Sequence, residues 1–254
     1  MTDREHIPPQ RTPEQKASAS RPYVKICGIR TVEALRRAAE LSVDYIGLVF
    51  APSKRRVEPE QAAELIRELK RTETPGDPDH GAKPAGTKIV GVFVNPEIDE
   101  LKRVLAVVPL DIVQLHGQES PERCREVRGA FGVEVFKAIS IGGQGGEENH
   151  AERAEKIASA YAGAADALLI DTYDPLYGGG SGKTFNWDIV PLYLEAAGAR
   201  GLKLFVAGGL TPDNAGELVR NYGPDGIDVS SGVETDGHKD IEKMTLFVER
   251  AVFS

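Results

Sequence analysis

Two side chains capable of acid–base chemistry stand two positions apart in the segment KICGI, namely Lys25 and Cys27. If this segment is a β-strand, both side chains point to one face, because side chains alternate along a strand. A nearby ammonium group lowers the pKa of a thiol, and the resulting thiolate can act as a base or a nucleophile. A lone cysteine can equally be a small buried hydrophobic residue. The sequence leaves both interpretations open, and the strand-end position favours the first.

An acidic side chain, Asp171, ends another apolar segment, LLIDT. Such a residue can cap the next helix, but here a long glycine-rich loop follows, TYDPLYGGGSGKTFNW. Its GSGKT resembles a nucleotide-binding P-loop, but that motif requires glycine where Tyr177 stands and a direct connection from strand to helix. We therefore interpret the loop, which contains Lys183, as a lid that closes over a small substrate.

Three consecutive cations, Lys54, Arg55 and Arg56, follow the apolar segment DYIGLVF. Such a run is usually solvated surface. An arginine at the mouth of a site can instead hold a carboxylate through two parallel hydrogen bonds. The run therefore predicts a carboxylate-binding arginine, and its position does not decide between Arg55 and Arg56.

Small residues follow two later apolar segments, where they can bind an anion. Gly208 and Gly209 stand in VAGGLTPDN, and Ser230, Ser231 and Gly232 stand in DVSSGVE. Glycines permit a close backbone approach, and exposed N–H groups at helix N-termini attract phosphate. Either motif alone is weak, but the two together predict a phosphate-binding corner.

Two further polar positions have ambiguous roles. His116 in VQLHG shares a strand face with Gln114 and could be a site residue or a turn residue, of which we favour the turn. Asp228 precedes the serine pair on the last predicted strand. In a closed sheet that strand neighbours the first, so an interior pair of Asp228 with Lys25 is possible. Such a pair would weaken the effect of Lys25 on the thiol.

Short apolar segments alternate along the chain with stretches in which apolar residues recur at helical spacing. This alternation is expected for a parallel sheet covered by helices. Helix start signals support the alternation, including Thr31, Ser120 before a proline, and Thr211 before a proline. The predicted strands are 23–27, 45–50, 88–94, 111–115, 133–138, 167–170, 203–206 and 226–229.

Eight strand–helix units predict one α/β fold, a single (β/α)8 TIM barrel. In such barrels the active site lies at the carboxyl ends of the strands. The candidate residues above stand at those ends or in the loops that follow them. The fold therefore predicts that they meet in one cavity.

Composition excludes several classes of protein. The 254 residues include 31 Lys and Arg against 39 Asp and Glu, a net charge of −8. This balance disfavours nucleic-acid and membrane-surface partners, which require clustered cations. No apolar run is long enough to span a membrane. Cys27 and Cys124 lie too far apart to indicate a disulfide framework or a metal cluster, which favours a cytoplasmic protein without a metal.

Two polar stretches interrupt the alternation. Residues 1–22 are proline-rich, lack a secretory signal and predict a disordered leader. The stretch near residues 72–87, TETPGDPDHGAKPAGT, predicts a solvated insertion. The remaining chain, residues 23–254, is predicted to be one catalytic barrel domain.

The ordered motifs resemble the phosphoribosylanthranilate isomerase family of tryptophan biosynthesis. The similarity covers the chain from residue 23 to its end, in the segments VKICGIR, DYIGLVF with SKRRV, VGVFVN, VQLHG, LLIDT, YGGGSGKTFNW, AGGLTPDN and IDVSSGVE. It implies that Cys27 is the general base, Asp171 the general acid, and Arg55 the holder of the anthranilate carboxylate. The chain departs from the family in one extra lid glycine and in Asn186, which replaces a usual aspartate.

The resemblance implies an Amadori rearrangement of a small phosphorylated substrate, with no cofactor and no metal. Two alternatives remain from the residues alone. One is the related aminoaldose isomerase of the histidine pathway, which resembles a two-aspartate pattern and is therefore disfavoured by Cys27. The other is a non-catalytic phosphosugar-binding barrel. The sequence does not decide between a monomer and a homodimer.

Overall fold

The computed structural model describes residues 21–41, 43–71, 86–142, 149–172 and 184–253. Eight parallel strands form a closed barrel in which each strand pairs with the next along the chain. Their bounds are β1 Tyr23–Cys27, β2 Tyr45–Val49, β3 Lys88–Phe93, β4 Ile112–Leu115, β5 Glu134–Ile141, β6 Ala167–Thr172, β7 Lys203–Val206 and β8 Gly226–Val229.

Helices follow the strands on the outside of the barrel. They are α1 Val32–Glu40, α2 Pro59–Arg71, α3 Ile98–Leu105, α4 Pro121–Phe131, α5 His150–Tyr161, α6 Val190–Gly198, α7 Pro212–Tyr222 and α8 Ile241–Val252. Short 3₁₀ turns cover Trp187–Ile189 and Ser231–Val233. The predicted (β/α)8 barrel is confirmed. None of these helices combines the length and apolarity needed to cross a membrane, within the residues that are described.

Barrel closure depends on the pairing of β1 with β8, in which Lys25 stands opposite Asp228. Along β1, Val24 and Ile26 pack in the outer core between sheet and helices, whereas Cys27 belongs to the interior cluster. The predicted alternation of faces in the first strand is therefore observed, and it directs the polar side chains toward the barrel axis.

An aromatic cluster fills the barrel interior below the site. The rings of Tyr45, Phe136 and Phe205 lie 5.2–5.5 Å apart between centroids. Gly226 gives the cluster room, because a Cβ atom there would lie 2.3 Å from the Phe205 ring. Because these rings fill the interior, a cavity in the barrel is expected at the carboxyl ends of the strands.

The predicted helix starts carry side-chain caps. The hydroxyl of Thr31 accepts a hydrogen bond from the backbone of Ala34, and that of Ser120 accepts one from Arg123. Thr211 and Asn214 form a reciprocal capping box at α7. Such caps satisfy backbone donors that the first turn of a helix leaves free.

The largest differences from the sequence prediction lie at the end of β5 and directly after β8. Strand β5 continues to Ile141, three residues past its predicted end, because it pairs with β6 up to Thr172. A short hairpin, β9 Glu234–Thr235 and β10 His238–Lys239, follows β8 and was not predicted.

Several predicted segments lie outside the described residues. They are residues 1–20 of the leader, residues 72–85 of the insertion, and the lid from 173 to 183 with Lys183. Arg21, assigned to the leader, forms two hydrogen bonds with Asp44 at 2.8 and 2.9 Å. Thr87, at the end of the insertion, is buried and donates to the carbonyl of Val43.

Candidate active site

A cavity opens at the carboxyl ends of the strands and brings the predicted site residues together. The side chains or backbone that line it include Cys27, Arg55, Gln114, His116, Asp171, Gly208, Gly209, Asp228, Ser230 and Ser231. Gly232 lies behind the lining. A Cβ atom at Gly232 would approach the carbonyl oxygen of Leu210 within 1.7 Å, so this glycine lets two site loops touch.

Cys27 ends β1 with its thiol buried in the cavity wall. Gly47 on the neighbouring strand makes room for it, since a Cβ atom there would lie 2.8 Å from Sγ. Burial raises the pKa of the thiol, and the opposing effect of Lys25 does not outweigh it. Our expectation that Lys25 would lower the pKa of Cys27 below its usual value is therefore wrong.

Burial of the thiol is the main cause, and the pair of Lys25 with Asp228 adds to it. The Lys25 ammonium donates to both Asp228 carboxylate oxygens, at 2.9 and 3.0 Å, and its side chain is fully buried. Burial alone would lower the pKa of Lys25, but the charges and hydrogen bonds of Asp228 and Cys27 together outweigh it and the pKa is raised. The ammonium is thus committed to a carboxylate, and the possible pair inferred from the sequence is present.

Asp171 lies at the end of β6 and is 5% exposed. Its Oδ1 atom accepts a hydrogen bond from the backbone of Thr172 at 2.8 Å. Gly208 packs against it at φ +85°, and a Cβ atom there would lie 2.9 Å from Oδ1 and 2.2 Å from the Thr172 hydroxyl. The carboxyl group is therefore held in one orientation at the cavity wall.

His116 faces the other oxygen of Asp171. Its Nε2 atom lies 3.4 Å from Oδ2, and its Nδ1 atom lies 3.2 Å from the amide nitrogen of Gln114. The imidazole ring is therefore held between the Asp171 carboxylate and the Gln114 amide. Our preference for a turn residue at His116 is wrong, because this side chain lines the cavity and approaches the predicted acid.

The two arginines after β2 have different environments. Arg55 is buried and lines the cavity, whereas Arg56 is exposed and pairs with Glu58 at 3.3 Å. Arg55 binds Glu234 through two hydrogen bonds of 2.7 and 2.9 Å. The structure therefore favours Arg55 as the cation of the site.

Sequence reasoning did not anticipate Glu234 and Lys239. Lys239 donates to Glu234 at 2.9 Å and to the carbonyl of Ser230 at 2.8 Å. Burial works against the charge of Glu234, but its bonds to Arg55 and Lys239 prevail and lower its pKa to about 2. The dipeptide Asp236-Gly237 was the available signal, because Asp-Gly is a strong two-residue hairpin turn.

The corner after β7 and β8 has the form of an anion site. Gly209 and Ser231 face it, and their backbone N–H groups donate to no acceptor within the described chain. The N-terminus of α7 begins directly after Thr211. Free N–H groups beside a helix N-terminus favour a phosphate group. Across the described ranges, no group of three or more His, Cys, Asp or Glu side chains is placed to hold a metal ion.

Comparison with known proteins decides the family. Residues 24–250 match the family model of N-(5′-phosphoribosyl)anthranilate (PRA) isomerase. The chain belongs to this family. The resemblance found in the sequence motifs is confirmed, and the matched range includes every candidate site residue.

Relatives within the isomerase family cover nearly the same length. The N-(5′-phosphoribosyl)anthranilate isomerase of Brevibacillus brevis is 46% identical over 227 residues, which are 89% of this chain and 92% of the relative. The enzyme of Geobacillus thermodenitrificans is 38% identical over the same shares of the two chains.

Solved structures of the isomerase family have the same fold. A phosphoribosyl anthranilate isomerase from Thermotoga maritima matches with a TM-score of 0.71 and 35% identity, covering 91% of this chain and 98% of that one. Another family structure, in complex with reduced 1-(o-carboxyphenylamino)-1-deoxyribulose 5-phosphate, matches at 0.67 and 31% identity over the same shares.

Proposed function

We propose that this chain converts N-(5′-phosphoribosyl)anthranilate into 1-(2-carboxyphenylamino)-1-deoxyribulose 5-phosphate, a step of tryptophan biosynthesis. The observation that carries the proposal is the single cavity shared by Cys27, Asp171, Arg55 and the anion corner, in a chain of this isomerase family. Such a substrate has a carboxylate, a phosphate and a reacting sugar between them. The cavity offers a partner for each part.

Asp171 acts first, as the general acid. In its protonated form it donates to the ring oxygen of the furanose, the bond from that oxygen to C1′ breaks, and the substrate nitrogen forms an imine. Its fixed orientation, with Oδ1 on the Thr172 backbone, presents Oδ2 to the cavity and to His116. General acid catalysis of this kind contributes about 10²- to 10⁴-fold in rate.

Cys27 acts second, as the general base. Its thiolate removes the proton from C2′, the electron pair forms the enolamine, and tautomerisation gives the aminoketose. Before the substrate binds, the raised pKa of the thiol makes the thiolate scarce. A protonated imine beside Cys27 carries a positive charge and favours the thiolate at the step that requires it.

The remaining residues bind the two ends of the substrate. Arg55 holds the anthranilate carboxylate. The phosphate lies against Gly208, Gly209, Ser230 and Ser231, in a corner that Gly232 helps to close, and Lys183 is proposed to reach it from the lid. The geometry of the described residues supports all of these assignments except Lys183, which lies outside them.

The proposal extends to the organisation of the whole chain. Residues 1–22 form a leader, and residues 23–254 form one catalytic barrel domain with an insertion near 72–87. The protein is cytoplasmic, is a monomer or a homodimer, and binds no nucleic acid. Two free cysteines and the net charge of −8 support the location and the absence of a nucleic-acid partner.

Genetic complementation tests the proposal against a non-catalytic barrel. A bacterial strain that lacks the isomerase and requires tryptophan should grow without it when it expresses this chain. The Asp171→Asn variant, expressed to the same level, should not restore growth. Failure of the wild-type chain to restore growth, with soluble protein shown by immunoblot, would overturn the proposed function.

A further inference from the structure

Arg55 offers two bonding edges, and only one of them is occupied. A guanidinium can hold one carboxylate with Nε and Nη2 and a second with Nη1 and the outer hydrogen of Nη2. Glu234 takes the first edge, with Oε1 2.7 Å from Nε and Oε2 2.9 Å from Nη2. Nη1 makes no hydrogen bond to any residue in the described part of the chain. The second edge is therefore available to a carboxylate in the cavity.

The hairpin of β9 and β10 fixes Glu234 in this role. Glu234 and Lys239 stand opposite each other in its register, across the two-residue turn Asp236-Gly237. Both turn residues have positive φ, 51° and 77°, which is the requirement of a type I′ turn. A short hairpin of this kind leaves Glu234 and Lys239 little freedom to move apart.

Arg55, Glu234 and Lys239 together form the group that we call the anchor, and Lys239 determines its net charge. Arg55 and Glu234 alone would form a neutral pair with little attraction for a second carboxylate. The Lys239 side chain is 4% exposed, and its ammonium donates to Glu234 and to the carbonyl of Ser230. Burial lowers the pKa of Lys239, and Glu234 opposes that shift. With its ammonium protonated, the three side chains carry a net charge of one positive unit, the complement of one carboxylate.

The loop of Arg55 and the hairpin are also joined to each other. Arg30 donates to the carbonyl of Lys54 at 2.9 Å and to that of Gly237 at 2.8 Å. Gly28 leaves room for the stem of Arg55, because a Cβ atom there would lie 2.6 Å from its Cδ atom. The direction of the guanidinium is therefore set by contacts from three loops.

We propose that Glu234 and Lys239 are positioning residues that make the site selective for a substrate whose aromatic ring carries a carboxylate. Glu234 turns the second edge of Arg55 toward the cavity, and Lys239 keeps the anchor positively charged. This inference rests on the proposed function for its substrate, and it concerns discrimination between ligands rather than the acid–base steps.

Paired ligands test the inference on the full-length protein. One is reduced 1-(2-carboxyphenylamino)-1-deoxyribulose 5-phosphate, and the other is its counterpart made from aniline, which lacks the carboxylate. Calorimetry should show that Glu234→Gln and Lys239→Met each weaken binding of the carboxylated ligand about tenfold or more, because a hydrogen bond to a charged group is disturbed. Binding of the counterpart should stay within about twofold of wild type.

The matched control is His238→Gln, in the same hairpin and on the cross-strand pair next to Glu234. It should bind both ligands as the wild type does. In steady-state kinetics Glu234→Gln should raise KM with kcat little changed, since it weakens binding and not the chemical step. Lys239→Met also removes a charge that lowers the pKa of Cys27, so this variant is judged by ligand binding alone. Circular dichroism confirms the fold of each variant, and Lys239→Met keeps the test open if Glu234→Gln does not fold.

Equal losses for both ligands, or no loss for either, would overturn the inference, because a general disturbance of the loop does not discriminate by charge. Turnover by the wild type, measured in parallel, separates the two claims. A folded wild type that binds both ligands but does not convert the substrate contradicts the proposed function and leaves the selectivity result standing.

Discussion

At the scale of single residues, the surroundings of the proposed base, Cys27, disfavour its thiolate form. Cys27 is 8% exposed and its pKa is raised, although a lysine stands two residues before it. The sequence predicted the shared face of Lys25 and Cys27 correctly, from strand alternation. It could not predict the sign of the pKa shift, because that depends first on burial of the thiol and then on Asp228, which lies 203 residues beyond Lys25 and accepts from its ammonium.

The reactivity of Cys27 gives a direct test of this environment. In a Cys124→Ala background, we expect iodoacetamide to alkylate Cys27 more slowly than a free thiol at pH 7.5, because the thiolate is the reactive form. The rate should rise with pH by about tenfold per unit up to pH 9, without a plateau. Mass spectrometry of timed samples measures it. A plateau below pH 8 would show that the thiol pKa is lowered.

His116 illustrates what local sequence patterns miss. A histidine before a glycine at a strand end is typical of a turn, and nothing nearby in the sequence indicates Asp171 as its partner. The barrel brings β4 and β6 to the same rim, and the two side chains meet at 3.4 Å. The face on which a side chain lies follows from the alternation of side chains along its own strand, and a sequence shows this alternation. Contacts between side chains of separate strands depend on how the sheet closes, which a local sequence pattern does not show.

At the scale of elements, the strong sequence signals were hydrophobic periodicity and helix caps. They located all eight strands of the barrel, and the cap residues Thr31, Ser120 and Thr211 act as expected. The hairpin after β8 escaped prediction because each of its strands has only two residues. So short a strand has no periodicity, and its stability comes from the turn and from contacts with Arg30 and Arg55.

The loop after β7 depends on a glycine that accepts positive φ. Gly208→Ala places a Cβ atom against Thr172 and Asp171 at φ +85°. We expect it to lower the free energy of unfolding by about 1–3 kcal/mol through backbone strain. It should also reduce kcat/KM, because Asp171 must move. Urea unfolding and steady-state kinetics measure the two effects.

Gly129 provides the matched control. It lies in α4, and a Cβ atom there meets nothing within 4 Å. Gly129→Ala should therefore raise the free energy of unfolding by about 0.5–1 kcal/mol, as alanine replaces glycine in an exposed helix. It should leave activity unchanged. Equal stability of Gly208→Ala and wild type would show that the loop tolerates a side chain at this position.

At the scale of the whole molecule, barrel closure converts a dispersed set of residues into one site. Among the described residues, those that line the cavity range from Cys27, near the start of the barrel, to Ser231, near its end. The pairing of β1 with β8 brings these two regions together. The net charge of −8 therefore does not describe the cavity, where a buried cation, Arg55, forms part of the wall. Global composition describes the average surface, whereas local placement determines what the cavity can bind.

The most direct test of the central claim is the turnover of freshly prepared N-(5′-phosphoribosyl)anthranilate by purified protein, followed as the loss of its fluorescence. We predict rapid loss with the wild type. Cys27→Ser and Asp171→Asn should each slow it about 100-fold or more, with unchanged circular dichroism, because each removes one proton-transfer group. No turnover by folded wild type, or wild-type rates in both variants, would contradict the account.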